Sequence, residues 1–229
     1  TISFAADDTL GNNERYFRLT QERFQELLRP YTGTGDITAR LLDAERRNLG
    51  HYGFGVKGFV LSMIETAIEV TDGKVPASVI ADIMQSGREM LAHPIELLPH
   101  ARDAVQALAA DYRLILITKG DLLDQERKLA QSGLGDLFDG VEIVSQKTPT
   151  VYAEIFNRLG NGPETGLMVG NSMKSDVVPM VEIGGWGVYV PHGLVWEIER
   201  AEAPAGAHRY QAIDHLGELP ALVERIEAG

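Results

Sequence analysis

The chain has 229 residues and a formal net charge of −12, with 44% hydrophobic and 24% charged residues, which are ordinary proportions for a globular protein. The negative charge argues against nucleic acid or an anionic membrane surface as a partner, and the lack of cysteine excludes disulfides, thiolate catalysis and cysteine-bound zinc. No apolar run approaches the roughly 20 residues that span a bilayer, and the N-terminus lacks a signal-peptide pattern, so we expect a cytoplasmic protein.

Five short apolar runs, each bounded by turn or polar residues, predict β-strands at Ile2–Phe4, Arg113–Thr118, Val141–Ser145, Leu167–Gly170 and Gly187–Val190. Helix-like stretches separate the last four runs, and this alternation is typical of right-handed βαβ units in a parallel sheet. The run Leu114–Ile117 is continuously apolar, as expected of a central strand that is covered on both faces. Thr148 followed by Pro149 predicts a helix start, while Gly133 and Gly160 predict helix ends.

The segment between the first and second strands, roughly residues 11–99, interrupts this alternation. Its apolar residues recur at spacings of three, four and seven, which is typical of amphipathic helices. The pattern predicts four helices. We therefore predict an α/β core domain of residues 1–11 and 96–229, with a helical cap domain of residues 12–95 inserted into it.

The first strand leads directly into an acidic segment, and residues 2–10 read ISFAADDTL. This segment resembles the first motif of haloacid dehalogenase-like (HAD) hydrolases, an apolar strand followed by Asp-x-Asp-x-Thr. The resemblance makes Asp7 the second aspartate and puts Ala5 at the position of the first, which is the family's nucleophile. A methyl group can neither attack phosphorus nor coordinate a metal ion.

Three further segments resemble the family's other motifs, in the right order and each after a predicted strand. Residues 116–120, LITKG, are similar to the second motif, a strand that ends in threonine. Lys147 stands where the third motif has its lysine. Residues 168–176, MVGNSMKSD, are similar to the fourth motif, Gly-Asp-x-x-x-x-Asp after a strand, with Asn171 in place of the first acid. The resemblance covers nearly the whole chain and implies an α/β fold with a Rossmann-like, parallel five-stranded core and an inserted α-helical cap domain.

Loops at the carboxyl ends of parallel strands converge on one crevice, so the four motifs are expected to meet there. The resemblance also implies a role for each motif residue. Asp7 is implied as the general acid and base, with its backbone carbonyl on the metal. Thr118 is implied to hydrogen-bond a phosphoryl oxygen, and Lys147 to neutralise charge on the phosphate. Lys119 and Gly120 are implied to contribute to substrate binding.

Magnesium is the implied cofactor, held by Asp7, Asn171 and Asp176, because Mg²⁺ is a hard cation that binds carboxylate and carbonyl oxygens. Taken one at a time, the alternatives for these residues are structural. Asp7 or Asp8 could be a turn or cap residue, Lys147 a surface residue, and Asp176 an acid in the first turn of a helix.

Ala5 and Asn171 are departures from the family pattern that weaken metal binding. Asparagine still offers a carbonyl oxygen, whereas Ala5 offers no ligand and rules out an aspartyl-phosphate intermediate. We expect this chain to be catalytically inactive or nearly so. Since the acid/base, threonine and lysine all remain, we favour an engineered nucleophile substitution over a natural pseudoenzyme.

Residues 53–58, GFGVKG, match G-x-G-x-x-G, but no strand precedes them and no βαβ unit surrounds them, so a dinucleotide site is not expected. A turn between two cap helices fits better, with Phe54 and Lys57 leaning over the active site as substrate-binding residues. Residues 11–13, GNN, have a simple interpretation as a loop in which Asn13 caps the next helix.

The predicted parent activity is Mg²⁺-dependent hydrolysis of a small organic phosphomonoester through an aspartyl-phosphate intermediate, with a small phosphorylated metabolite as the partner. Two alternatives stay open: a natural pseudoenzyme that binds phospho-ligands, and a haloacid dehalogenase or phosphonatase. Asp7 argues against dehalogenation, because a departing halide needs no proton. No feature of the sequence indicates an oligomeric state.

Overall fold

The computed structural model describes all 229 residues. It contains six β-strands: β1 (Ile2–Phe4), β2 (Leu114–Lys119), β3 (Gly140–Val144), β4 (Leu167–Gly170), β5 (Trp186–Tyr189) and β6 (Tyr210–Ala212). They form one sheet in the order β3-β2-β1-β4-β5-β6, in which every neighbouring pair is parallel. The predicted parallel α/β architecture is confirmed.

The size of the sheet differs from the prediction, which gave five strands rather than six. Each of the five predicted strands lies within one residue of its counterpart among β1 to β5. The additional strand, β6, has three residues, stands at the edge of the sheet and is partly exposed. It therefore lacks the buried apolar run that makes a strand legible in a sequence.

Nine α-helices accompany the sheet: α1 (Glu14–Thr32), α2 (Thr38–Tyr52), α3 (Val56–Val70), α4 (Ala77–Ala92), α5 (Ala101–Ala109), α6 (Leu122–Ser132), α7 (Pro149–Leu159), α8 (Val178–Glu182) and α9 (Leu219–Ala228). The four predicted helices of residues 11–99 are confirmed as α1 to α4. The predicted boundaries of α7 are also confirmed, since the Thr148 hydroxyl accepts from Val151 N at 3.2 Å and Gly160 follows the last turn. None of the helices is both long and apolar enough to cross a lipid bilayer.

Helices cover both faces of the sheet. Since alternate residues of the central strands point to opposite faces, neighbouring residues pack into different hydrophobic clusters. Leu114 and Leu116 pack into one hydrophobic cluster with residues of α5 and α9. Ile115 and Ile117 pack into another with residues of α7 and α8. β1 is wholly buried and pairs with β2 on one side and β4 on the other. This packing sets the carboxyl ends of β1, β2 and β4 side by side.

The chain divides into two compact units. The core unit contains the sheet and comprises Thr1–Glu14, Ile95–Lys119 and Gln125–Gly229. The helical unit comprises Arg15–Pro94 and Gly120–Asp124. Helices α1 to α4 contribute to the helical unit's own hydrophobic cluster, which contains Phe24, Leu41, Met63 and Ile83. Each unit therefore has a buried core of its own.

Residues 53–55 form the turn between α2 and α3 in the helical unit, as the sequence predicts, and residues 56–58 begin α3. Gly53 and Gly55 have φ angles of 72° and 121°, which glycine adopts more readily than other residues. A Cβ on Gly55 would lie 2.6 Å from Asp121 Oδ2, and that oxygen accepts from Lys57 N at 3.1 Å. The glycines thus serve the turn between two helices.

Candidate active site

A loop follows the carboxyl end of each of the strands β1, β2 and β4. Since β1 pairs with both β2 and β4, these loops begin at three adjacent strand ends. In open parallel sheets this edge is where ligands bind. Ala5 and Asp7 lie in the loop after β1, and Thr118 and Lys119 are the last two residues of β2. Asn171 and Asp176 follow β4, and Lys147 lies between β3 and α7.

The loop after β1 turns tightly around a buried carboxylate. Ala5 is itself buried, and its N–H donates to Val169 O at 3.0 Å. Asp8 has a left-handed φ of 55°, and its Oδ1 accepts from the backbone N–H groups of Asn13 at 2.8 Å and Glu14 at 3.0 Å. Asp8 therefore satisfies N–H groups that a helix start leaves unpaired.

The environment of the Asp8 carboxyl group perturbs its protonation. Burial raises the pKa of Asp8 to about 6, even though the N–H group of Asn13 lowers it. The negative charge of Asp7 raises this pKa further, while His192, whose Nε2 lies 3.6 Å from Oδ1, lowers it. Because both oxygens of Asp8 accept hydrogen bonds from the start of α1, we assign it a structural role.

Asp7 is held by two side chains of α6 that no motif singles out. Gln125 Nε2 donates to Asp7 Oδ2 at 2.7 Å, and Lys128 Nζ lies 3.0 Å from Asp7 Oδ1. Gln125 Nε2 also donates to Lys119 O at 2.6 Å and lies 3.3 Å from Thr118 Oγ1. The amide group therefore joins the loop after β1 to the end of β2.

The fourth motif folds around a buried ion pair. Lys147 Nζ lies 2.7 Å from Asp176 Oδ1, and both side chains are almost fully buried. Asp176 Oδ2 accepts from Ser172 N at 2.9 Å, and the Ser172 hydroxyl accepts from Ser175 N at 2.9 Å. These bonds support a wide π-type turn over Met173–Val177, a conformation that is frequent at functional sites. Since a buried charge needs a partner, each ion of the pair holds the other in place.

Lys119 is paired with Glu199, an acid from a single helical turn between β5 and β6. Lys119 Nζ lies 2.5 Å from Glu199 Oε1 and 2.8 Å from Ser175 Oγ, and Ser172 Oγ donates to Glu199 Oε2 at 2.5 Å. Burial lowers the pKa of Lys119, although Glu199 opposes this shift. Burial also acts to raise the pKa of Glu199, but Lys119 and the two serine hydroxyls outweigh it, so that this pKa is lowered. Lys119 and Glu199 therefore form a largely buried pair in which each side chain counteracts the effect of burial on the other.

These contacts form one connected network in the core unit. It runs through Asp7, Gln125, Lys119, Glu199, Ser172, Asp176 and Lys147, with Thr118 joined to it through Gln125. The other predicted substrate-binding residues, Phe54, Lys57 and Gly120, belong to the helical unit. Ammonium and hydroxyl groups at strand ends are donors suited to an anion, and the partly exposed Asp7 carboxyl is suited to proton transfer.

The residues present do not fit a magnesium ion. Both oxygens of Asp7 and both oxygens of Asp176 accept hydrogen bonds, and each carboxylate faces a lysine. Asn171 Oδ1 accepts from the Thr9 hydroxyl at 3.2 Å. No group of three or more histidine, aspartate or glutamate side chains could hold a metal ion. Magnesium is usually held by one or two carboxylates together with water, and here it would have to displace the ammonium groups of Lys128 and Lys147 from those carboxylates.

Known proteins resemble this chain in sequence and in structure. A family model described as haloacid dehalogenase-like hydrolase matches residues 4–184. A solved structure of a haloacid dehalogenase-like family hydrolase from Xanthomonas campestris is 42% identical, with a TM-score of 0.88 over 99% of this chain and 91% of that chain. The magnesium-bound HAD-hydrolase YfnB of Bacillus subtilis is 17% identical, with a TM-score of 0.68 over 97% of both chains, and shows likeness of fold alone.

One curated relative carries an activity in its name. It is the glyceraldehyde 3-phosphate phosphatase of Methanothermobacter thermautotrophicus, which is 28% identical over 117 residues. The match covers 49% of this chain and 51% of the relative, so this chain spans about half the length of that protein.

Proposed function

Because the chain belongs to the haloacid dehalogenase-like hydrolase family, we propose that its core unit is a phosphomonoesterase site without its nucleophile. The observation that supports this best is the network that joins Asp7, Thr118 and Lys147 at neighbouring strand ends. An acid, a hydroxyl and an ammonium group are the parts that phosphoryl transfer uses for proton transfer and charge stabilisation. The phosphatase named among the relatives favours a phosphate ester over a halide as the substrate.

In the proposed complex, the phosphoryl oxygens lie against the Thr118 hydroxyl and the Lys147 ammonium group. The positive charge of the ammonium group offsets the negative charge of the phosphate. The ester oxygen lies toward Asp7, which donates a proton to the departing alkoxide. Asp176 keeps Lys147 in place through their buried contact of 2.7 Å. The substrate is a small organic phosphomonoester.

Ala5 takes the position from which a carboxylate would attack, so this chain binds the ester and turns over little of it. With the carboxylate that Ala5→Asp introduces, an oxygen attacks phosphorus, the bond to the ester oxygen breaks, and Asp7 protonates the leaving alkoxide. Asp7 then accepts a proton from water, and the water oxygen attacks phosphorus. Inorganic phosphate leaves and the carboxylate is regenerated.

Ala5→Asp also returns one carboxylate to a donor set that does not fit magnesium at present. Magnesium is bound in the Bacillus subtilis structure, which supports the expectation of a magnesium requirement once that carboxylate is restored. We propose magnesium dependence for the restored chain only. Assaying the restored chain with and without a chelator tests this dependence directly.

The test compares Ala5→Asp with Ala5→Asn, a control of similar size that has no nucleophile. Both are assayed with 4-nitrophenyl phosphate and a panel of alkyl phosphates, in Mg²⁺ or in EDTA. We expect Ala5→Asp to raise turnover at least about a thousandfold over the unmodified chain, since a lost nucleophile typically costs this much or more. Ala5→Asn should stay at background, and EDTA should abolish the gain.

Two outcomes would replace the proposal. A silent Ala5→Asp variant, together with binding of inorganic phosphate by the unmodified chain, would make the protein a non-catalytic phospho-ligand binder, the function that Ala5 itself favours. Release of chloride from 2-chloropropionate, without hydrolysis of any phosphate ester, would make it a dehalogenase.

A further inference from the structure

We propose that Gln125 and Lys128 form a clamp that positions the carboxyl group of Asp7, an assignment that rests on the proposed function of this site. The two residues are three positions apart on α6, so they lie on the same face of one helix. Each serves a different oxygen of Asp7, Gln125 at 2.7 Å and Lys128 at 3.0 Å. Two donors on two oxygens fix the rotation of the carboxyl plane as well as its position.

The clamp is anchored to the rest of the core unit at both ends. Gln125 is 5% exposed, and its Nε2 also donates to Lys119 O at 2.6 Å. Lys128 Nζ also donates to Asn13 Oδ1 at 2.9 Å. Because these second contacts hold the donors themselves, Asp7 is located relative to β2 and to the start of α1.

The side-chain amide of Gln125 is only half satisfied, and the role of its NH₂ group as a donor explains why an amide is present here. Its Oε1 is buried without a hydrogen-bond partner, which opposes folding. Three oxygens surround its Nε2, on Asp7, Thr118 and Lys119, so the opposite orientation of the amide would place oxygen against oxygen. A leucine at this position would avoid the unpaired oxygen. The amide is therefore explained by what its NH₂ group holds.

The position of Asp7 matters most when the leaving group needs a proton. An alkyl phosphate releases a strongly basic alkoxide, whereas 4-nitrophenyl phosphate releases a weakly basic phenolate that needs little help. A displaced Asp7 would therefore slow the alkyl ester more than the aryl ester. Loss of stability without displacement would slow both esters equally.

The kinetic test uses this difference in the Ala5→Asp background, with glycerol 3-phosphate as the alkyl ester. We expect Lys128→Met and Gln125→Leu to lower kcat for the alkyl ester by about tenfold more than for the aryl ester, with KM nearly unchanged. Lys128→Arg should recover most of the alkyl activity, because it restores a cationic donor. Lys74→Met is the matched control, since Lys74 is exposed in the helical unit and should leave both rates unchanged.

A structural test decides the clamp without turnover. We expect a crystal structure of the Lys128→Met/Gln125→Leu variant of the unmodified chain to show the Asp7 carboxyl group displaced, while Lys147 and Asp176 keep their contact. An undisplaced Asp7, or equal losses on the two esters, would overturn the clamp. If the Ala5→Asp background hydrolyses neither ester, the proposed function fails, and the position of Asp7 in the crystal still decides the clamp.

Discussion

Gly170 lacks a side chain at the place where Asp176 lies. A Cβ on Gly170 would overlap the carboxylate of Asp176, which is itself almost fully buried and paired with Lys147. The last residue of β4 and the end of the fourth motif thus share one space. The glycine that precedes Asn171 is required by packing against Asp176.

Gly170→Ala should therefore displace Asp176 and weaken its contact with Lys147. We expect the free energy of unfolding to fall by about 1–3 kcal/mol, as for other overpacked core positions. Binding of inorganic phosphate should weaken in the same variant. Gly193→Ala is the matched control, because no atom outside its chain neighbours lies within 4 Å of a Cβ there. Urea unfolding and calorimetry measure both effects, and equal behaviour of the two variants would contradict the packing argument.

The ion pair between Lys147 and Asp176 predicts a non-additive pair of substitutions. Lys147→Met leaves a buried carboxylate without its counter-charge and should cost about 3–5 kcal/mol of stability. Adding Asp176→Asn removes the stranded charge while keeping an acceptor for Ser172 N, so most of the loss should return. Arg29→Met, which breaks an exposed pair with Glu26, should change stability by less than about 0.5 kcal/mol. Urea denaturation of the four proteins tests this, and a double variant no more stable than Lys147→Met would refute it.

Asp8 predicts a pH dependence of stability in the acid range. Its pKa is about 6 in the folded chain, against an ordinary value of 3.8 for an aspartate in the unfolded chain. The folded state therefore binds this proton more tightly, so the contribution of Asp8 is complete below about pH 4 and is lost as the pH rises through 6. We expect Asp8→Asn, which keeps a capping oxygen, to remove this pH-dependent part of the free energy of unfolding, which is on the order of 2–3 kcal/mol. The free energy of unfolding, measured from pH 4 to 7.5, tests this prediction, with Asp43→Asn at an exposed position as the control. Parallel curves of unfolding free energy against pH for Asp8→Asn and the unmodified chain would contradict the prediction.

The poor fit of the present site to magnesium predicts how Mg²⁺ affects the Tm of the protein. A ligand that binds the folded state raises its Tm, so about 10 mM Mg²⁺ should leave the Tm of the unmodified chain unchanged. The double variant Ala5→Asp/Asn171→Asp adds two carboxylates near the strand ends and should gain a Mg²⁺-dependent rise. The same comparison in Na⁺ at equal ionic strength controls for screening. A rise in the unmodified chain would show that Asp7, Asn171 and Asp176 release their present partners to the metal.

The sequence was sufficient for the elements whose apolar pattern reflects their own burial. β2 is legible because both of its faces are covered, and α7 because Thr148 and Pro149 mark its start. β6 was not legible, since three partly exposed residues become a strand only by pairing with β5. The hydrogen bonds of Asp8 to the start of α1 were not legible either, because the backbone turn that brings Asp8 to the helix start has no local signature.

The candidate site shows the same division. Residues of distant motifs meet because strand ends meet, which chain order and the parallel sheet together imply. Gln125 and Lys128 could not be selected in advance, since polar residues on α6 read as a solvated face until the rotation of the helix on the sheet is known. Glu199 could not be selected either, because its approach to Lys119 depends on the path of residues 190–209. The catalytic roles of the motif residues remain predictions.

Ala5 is only 3% exposed and packs with Ile115, Ile117 and Tyr152 in the cluster on one face of the sheet. An ionised side chain introduced there loses its hydration, and no cation in the present network lacks a partner to receive it. Ala5→Asp should therefore make the molecule easier to unfold, unless a bound divalent ion compensates for the added charge. The methyl group of Ala5 should therefore leave the present chain more stable than its Ala5→Asp variant.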